Sequence, residues 1–156
     1  MKLNDAKRFG HESIRTYNDK EVIFAEGEDS REMYIVQEGE LFVSKRSGNN
    51  DVILATLKKG DFVGDMALLE SQPRSATARA HGATTLLVLK PSGFLLKIRR
   101  DPTFAFEMLQ HLSRRLRTTN ERMLEAVQKS TSGDARERLK AIFESSEFGT
   151  VSDDLA

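Results

Sequence analysis

The sequence predicts a mainly β protein with flanking helices, built as a sandwich, jelly roll or barrel and followed by one long helix. Two observations predict it. Between residues 21 and 90, short runs rich in Val, Ile, Leu and Phe recur between turn signals. From Thr103 to about Lys129 there is neither Gly nor Pro, and helix formers dominate.

The strand-like runs are EVIFAEGE, EMYIVQEGELFVSKR, DVILATLKKGDF and TTLLVLK. Several alternate: in ELFVSK, Leu41 and Val43 share one face, and Phe42 and Ser44 the other. Turns are expected at Gly27-Glu28-Asp29, Glu38-Gly39, Ser47-Gly48-Asn49-Asn50, Lys59-Gly60-Asp61 and His81-Gly82. At Pro91 the pattern changes. PSGFLLKIRR predicts a short helix with Pro91 in its first turn, ended by Asp101-Pro102. In the long helix, Ala105, Leu109, Leu112, Leu116, Thr119, Met123 and Ala126 alternate steps of four and three, a heptad seam. Such a stripe can lie on its own barrel or on a twin, and the strict alternation favours a twin in a parallel dimer. Gly133 is expected to interrupt before a second helical segment, DARERLKAIFESSE. The expected organisation is therefore a domain over residues 1–130, including the long helix 103–129, and an appendage with a flexible tail over 131–156.

Composition narrows the function. The chain has 156 residues, 38% of them hydrophobic, a formal net charge of zero and no cysteine. Neutrality argues against a broad nucleic-acid surface. Lack of cysteine excludes disulfides, thiol catalysis and thiolate metal sites, and suits a reducing cytosol. No apolar leader or membrane-length run occurs, so a soluble cytoplasmic protein is expected. The histidines, His11, His81 and His111, are scattered without metal-ligand spacing, and no GxSxG or P-loop is present. No catalytic role and no cofactor or metal are expected. Acids outnumber bases six to three from residue 131 onward, leaving the rest of the chain net basic.

One arginine asks for a partner. Arg74 sits among Pro73, Ser75, Ala76 and Thr77, in what reads as a strand of small residues. It is either exposed, or paired with a protein carboxylate or a ligand phosphate, which a guanidinium grips with two bonds. Upstream, Gly64 permits a tight turn, and Met66-Ala67-Leu68-Leu69 has the length of one helical turn, whose leading amides can cradle an anion. Asp65 stands where it could accept a sugar hydroxyl or simply cap the helix. Ser75 and Thr77 add hydroxyls.

GDMALLESQPRSAT, residues 64–77, resembles the phosphate-binding cassette of cyclic nucleotide-binding domains. The resemblance extends over roughly residues 14–130 and implies a jelly-roll β-barrel (double-stranded β-helix). It implies a 3′,5′-cyclic purine nucleotide as ligand, cAMP before cGMP. Arg74 would pair with the cyclic phosphate, and Asp65 would hold the ribose 2′-hydroxyl. Gly64, Met66, Ala67 and Ser75 would complete the cradle. Asp65 departs from the family's usual glutamate by one methylene. A shorter resemblance, to the catabolite activator type within that family, covers RRLRTTNER in the long helix. It implies that Thr119 meets the adenine amino group and that Asn120 reaches the nucleotide of a partner subunit. GDARERLKAIFESS is similar to the opening helix of that type's DNA-binding domain, and no recognition helix is expected in the residues that follow it.

The expected function is a ligand-sensing regulatory module that signals through its C-terminal helix, as a homodimer, without touching nucleic acid itself. The helix would close over the base by a hinge at Phe94–Arg100. The alternatives are the sensor part of a cAMP-responsive transcription regulator lacking its DNA-binding domain, or a degenerate dimerisation module that binds no nucleotide.

Overall fold

The computed structural model describes residues 12–129 together with 133, 134, 137, 138, 140 and 141. The chain divides into two compact units, Met1–Phe106 and Glu107–Ala156.

The first unit is an antiparallel β roll. Its strands are β1 (Glu12–Tyr17), β2 (Val22–Phe24), β3 (Met33–Ser47), β4 (Asn50–Leu57), β5 (Phe62–Val63) and β6 (Thr77–Leu89). Helix α1 (Asp65–Glu70) lies between β5 and β6, and α2 (Pro91–Arg100) follows β6. The two long strands, β3 and β6, pair with each other from Met33↔Leu89 to Ser44↔Thr77. Each changes its outer neighbour halfway. β3 takes β5 at Tyr34↔Val63 and then β4 from Leu41↔Leu57 onward. β6 takes β2 at Val22↔Arg79 and then β1 from Thr84↔Tyr17 onward. That exchange of neighbours rolls the sheet over a core of Phe24, Tyr34, Val36, Leu41, Val63, Ala78, Leu86 and Val88. Leu41 and Val43 both face this core, in line with the alternation in the sequence.

Two of the expected turns are not turns. β3 runs through Gly39 and β6 through Gly82, both with left-handed φ, +83° and +72°. Here the register slips from Glu38↔Thr85 to Glu40↔His81, so a pair of bulges bends both strands at one level. Gly82 N–H is held by Asp19 Oδ1 at 2.7 Å, and the buried Thr84 hydroxyl donates to Glu40 O at 3.0 Å. A glycine inside a strand reads locally like a turn; only pairing on both sides tells a bulge from a reversal. The remaining expected turns form. Gly48-Asn49 closes the β3–β4 hairpin beyond the Ser47↔Asn50 pair. At Lys58–Asp61, Asp61 Oδ2 takes Lys58 N–H at 2.9 Å. β1 was not expected, and the EVIFAEGE run is strand only over Val22–Phe24.

A Cβ at Gly39 would lie 2.5 Å from Ala83 O and 2.7 Å from Thr84 Oγ1. Gly39→Ala is therefore expected to lower the urea midpoint, with backbone strain alone costing about 1–3 kcal/mol. Gly60→Ala is the control: its φ is +90°, but nothing lies within 4 Å. Equal losses in the two variants would rule out the clash.

α2 starts with Pro91 at its first position, as expected. Phe94–Arg100, the expected hinge, is continuous helix; the break falls at Asp101, with φ −138° and ψ 87°. Asp101 Oδ1 accepts the Thr103 amide at 3.1 Å and so begins α3 (Pro102–Lys129). Phe94 and Phe104 meet edge to face at 6.1 Å.

The second unit carries α3 from Glu107 onward. Along the expected seam, Leu109 and Leu116 are exposed, while Leu112 and Met123 are half-buried. Gly133 and Asp134 are helical, and Arg138 pairs with Asp134 at 3.1 Å. The rest of the expected appendage over 131–156 lies outside the described residues.

Candidate functional site

Gly64 sets the site's geometry. Its φ of +87° turns the chain out of β5 into α1, and its carbonyl accepts the first helical bond, from Leu68 N at 3.2 Å. The amides of Met66 and Ala67 precede that bond, so they have no acceptor inside the helix. Ser71, also left-handed at φ 57°, ends α1, and a loop carries the chain to Arg74.

Arg74 lies in this loop, not in a strand: β6 begins only at Thr77. It still has paired backbone, because the turn after β2 receives it. Arg74 N donates to Glu28 O at 2.9 Å, and Gly27 N to Arg74 O at 2.8 Å. The side chain is 3% exposed. Nε donates to Ser30 Oγ at 2.9 Å, Nη2 to Glu32 O at 2.7 Å and Nη1 to Gly64 O at 3.4 Å. These partners are a hydroxyl and two carbonyls, all neutral. The guanidinium also lies over the Phe24 ring, 4.1 Å from its centre, and 5.8 Å from that of Tyr34. Burial pushes its pKa below the ordinary arginine value, although the charge persists at any working pH.

Asp65 is also buried, 3% exposed, at the first position of α1. Gly64 occupies the N-cap, so Asp65 is not the cap. Ser75 is exposed and its hydroxyl points to Met66 Sδ at 3.7 Å, which joins two of the expected cradle residues across the loop. Thr77 Oγ1 instead accepts the Glu26 amide at 2.9 Å. Ala67 and Ala76 are buried and let these segments approach closely. Gly64, Asp65, Met66, Ala67, Arg74 and Ser75 thus gather within the first unit. Thr119 and Asn120 belong to the second. There the Thr119 hydroxyl donates to Arg115 O, one turn back, at 2.8 Å, so a polar residue on the seam is satisfied by its own helix.

Sequence reasoning missed the far wall of the site. Ser30 and Glu32 stand 44 and 42 residues from Arg74, and no local pattern marks them. Glu32 has a second role. Its carboxylate accepts both Nη groups of Arg15, at 2.8 and 2.9 Å, and the Tyr34 hydroxyl at 2.9 Å. Partial burial would raise the Glu32 pKa, but the bonds from Arg15 and Tyr34 outweigh it and hold the carboxyl below its usual value. Burial first, and Glu32 next, push the Tyr34 hydroxyl well above the ordinary tyrosine range.

A depressed carboxyl contributes stability above its unfolded pKa, near 4.5, and loses it as pH falls through the lower folded value. Urea midpoints of the wild type are therefore expected to drop on acidification below that pH. Glu32→Gln should start less stable at neutral pH and show a shallower acid decline. Parallel profiles would mean that the Arg15 pair contributes nothing.

Among the described residues, no group of three His, Asp or Glu side chains could hold a metal ion, and no helix is long and apolar enough to cross a membrane. What the fold and site define is a β-roll module with a buried, neutrally partnered cation facing a glycine-capped helical turn. The chain belongs to the cyclic nucleotide-binding domain family, whose model matches residues 14–101. It is 37% identical over 71 residues to the cAMP-dependent protein kinase regulatory subunit of Mycosarcoma maydis, covering 46% of this chain and 14% of that one. It is 30% identical over 115 residues to the cAMP-activated global transcriptional regulator CRP of Salmonella typhimurium, covering 72% of this chain and 55% of the relative. The crystal structure of the Thermus thermophilus catabolite activator protein superposes with a TM-score of 0.67 at 32% identity, covering 76% of this chain and 56% of that chain. The chain thus spans about half the length of its transcription-regulator relatives, and far less of the kinase subunit.

Proposed function

We propose that the chain binds a 3′,5′-cyclic purine nucleotide, cAMP in preference to cGMP, and acts as a non-catalytic, cytoplasmic sensor that signals through α3. One observation carries this: Arg74 is charged and buried, and its side-chain hydrogen bonds among the described residues go to neutral groups. Each η nitrogen bears two N–H groups and gives one to those bonds, so the guanidinium keeps donors for an oxyanion. An anion arriving there gains a charge-assisted bond to a cation that is already largely desolvated. Asp65 holds the ribose, and Gly64, Met66, Ala67 and Ser75 frame the phosphate. Thr119 and Asn120 meet the base, with Thr119 trading its bond to Arg115 O for the ligand. The relatives named for cAMP support that nucleotide.

The module runs over residues 1–130, with 131–156 as an appendage, and pairs with a second copy through the α3 seam. Ligand shifts a population in which α3 changes position, with Asp101 as the pivot. A second reading, the sensor part of a longer cAMP-responsive transcription regulator, is favoured by the half-length match to CRP.

Calorimetry on nucleotide-stripped protein tests the proposal. Saturable heat with cAMP, weaker with cGMP, is expected. No heat with either would leave only a dimerisation module. Asp65→Ala should weaken cAMP about tenfold or more, the loss of one charge-assisted bond. Asp65→Glu should bind as tightly as the wild type or tighter.

A further inference from the structure

Resting on that proposed function, we infer that Glu32 is a positioning residue for Arg74, clamped from behind by Arg15 and Tyr34. The residue has two ends with separate jobs. Its backbone carbonyl takes Arg74 Nη2 at 2.7 Å, the shortest of the three bonds to the guanidinium. Its carboxylate is gripped by both Nη groups of Arg15 and by the Tyr34 hydroxyl. Carbonyl and side chain share one Cα, so tying the side chain to two strands restricts where that carbonyl can sit.

Those strands are rooted in the sheet. Arg15 lies on β1, paired with Leu86 of β6, and Tyr34 on β3, paired with Val88 of β6 and Val63 of β5. The segment between Gly27 and Glu32, by contrast, contains no strand or helix. Yet it supplies Glu28 O to the Arg74 amide, Ser30 Oγ to Nε and Glu32 O to Nη2. An irregular segment asked to aim a buried cation needs an anchor, and the fork of Arg15 on Glu32 is a two-bond one. Arg15 also sits on the protein's outer side, its side chain 42% exposed, so the clamp links the β1 edge of the roll to the phosphate site. Ligand affinity would thus depend on a residue that never touches ligand.

The test uses the full chain, with and without cAMP. The readout is the Arg74 Nε–H signal in nitrogen-15 NMR, assigned by its loss in Arg74→Lys, together with cAMP titration. In Arg15→Met, Tyr34→Phe and Glu32→Gln, the signal is expected to shift or exchange faster with water in the ligand-free protein. Affinity should fall about three- to tenfold, the range of one net hydrogen bond. Arg15→Met combined with Glu32→Gln should bind no more weakly than Glu32→Gln alone, because both remove the same tie. Lys58→Met, which breaks the surface pair with Glu40, is the control and should move neither readout. An unchanged Nε–H signal in Arg15→Met, additive losses in the double variant, or an equal effect from Lys58→Met would overturn the inference. If the wild type binds no cyclic nucleotide, the proposed function falls, and the ligand-free signal alone decides whether the clamp exists.

Discussion

Arg74→Gln is expected to weaken cAMP binding by at least tenfold, and by about a hundredfold if two charge-assisted bonds are lost at about 1.5–3 kcal/mol each. The ligand-free protein should suffer much less. The wild-type guanidinium already bears the cost of burial: its three recorded partners are neutral, and desolvation lowers its pKa. Replacing a buried charge with a shorter neutral amide removes that cost along with the two bonds made by the η nitrogens. The amide nitrogen falls near the place of Nε and can still donate to Ser30 Oγ. Arg74→Lys separates charge from shape. It keeps the cation but loses the fork, and should also bind poorly. Titration calorimetry beside urea unfolding reads both effects. Full affinity in Arg74→Gln would place the ligand elsewhere.

Gly64→Ala should damage fold and site together. A Cβ there would sit 2.6 Å from Arg74 Nη1 and 2.7 Å from Glu32 O, at a φ of +87°. The first atom ends a side chain and could retreat. The second is backbone, held by the segment that grips Arg74. Either the β5–α1 turn opens or Arg74 leaves its place. A stability loss of about 2 kcal/mol or more is expected from strain plus overpacking, with at least tenfold weaker cAMP binding. Gly48→Ala, with φ +61° and nothing within 4 Å, should show only the strain and keep its affinity. Were Gly64→Ala as stable and as tight-binding as Gly48→Ala, the close approach of the β5–α1 turn to Arg74 would be wrong.

Much of the fold was legible in the chain. Alternation put Leu41 and Val43 on one face, which the structure turns to the core, and Pro91 marked the start of α2. The unbroken run of helix formers foretold α3 to within a residue of its start. Gly39 and Gly82 misled because φ > 0 serves a bulge and a turn equally well. β1 escaped because ESIRTY is short and, at Ile14, exposed; β6 holds it in place by pairing. The break between α2 and α3 falls at Asp101, and not within the expected hinge, because the apolar and basic residues of Phe94–Arg100 give no reason to break a helix.

By itself, the sequence determined the chemistry available: one arginine among small residues, an acid after a glycine, and no thiol. These are local facts, written in residues close together along the chain. Only the tertiary structure decided that Arg74 is buried rather than solvated. Its burial rests on Phe24, Ser30 and Glu32, brought in from the other side of the roll, and on Arg15, which holds Glu32 still. Those contacts follow from strand register. Register is set by the packing of a whole core and has no signature in any short window.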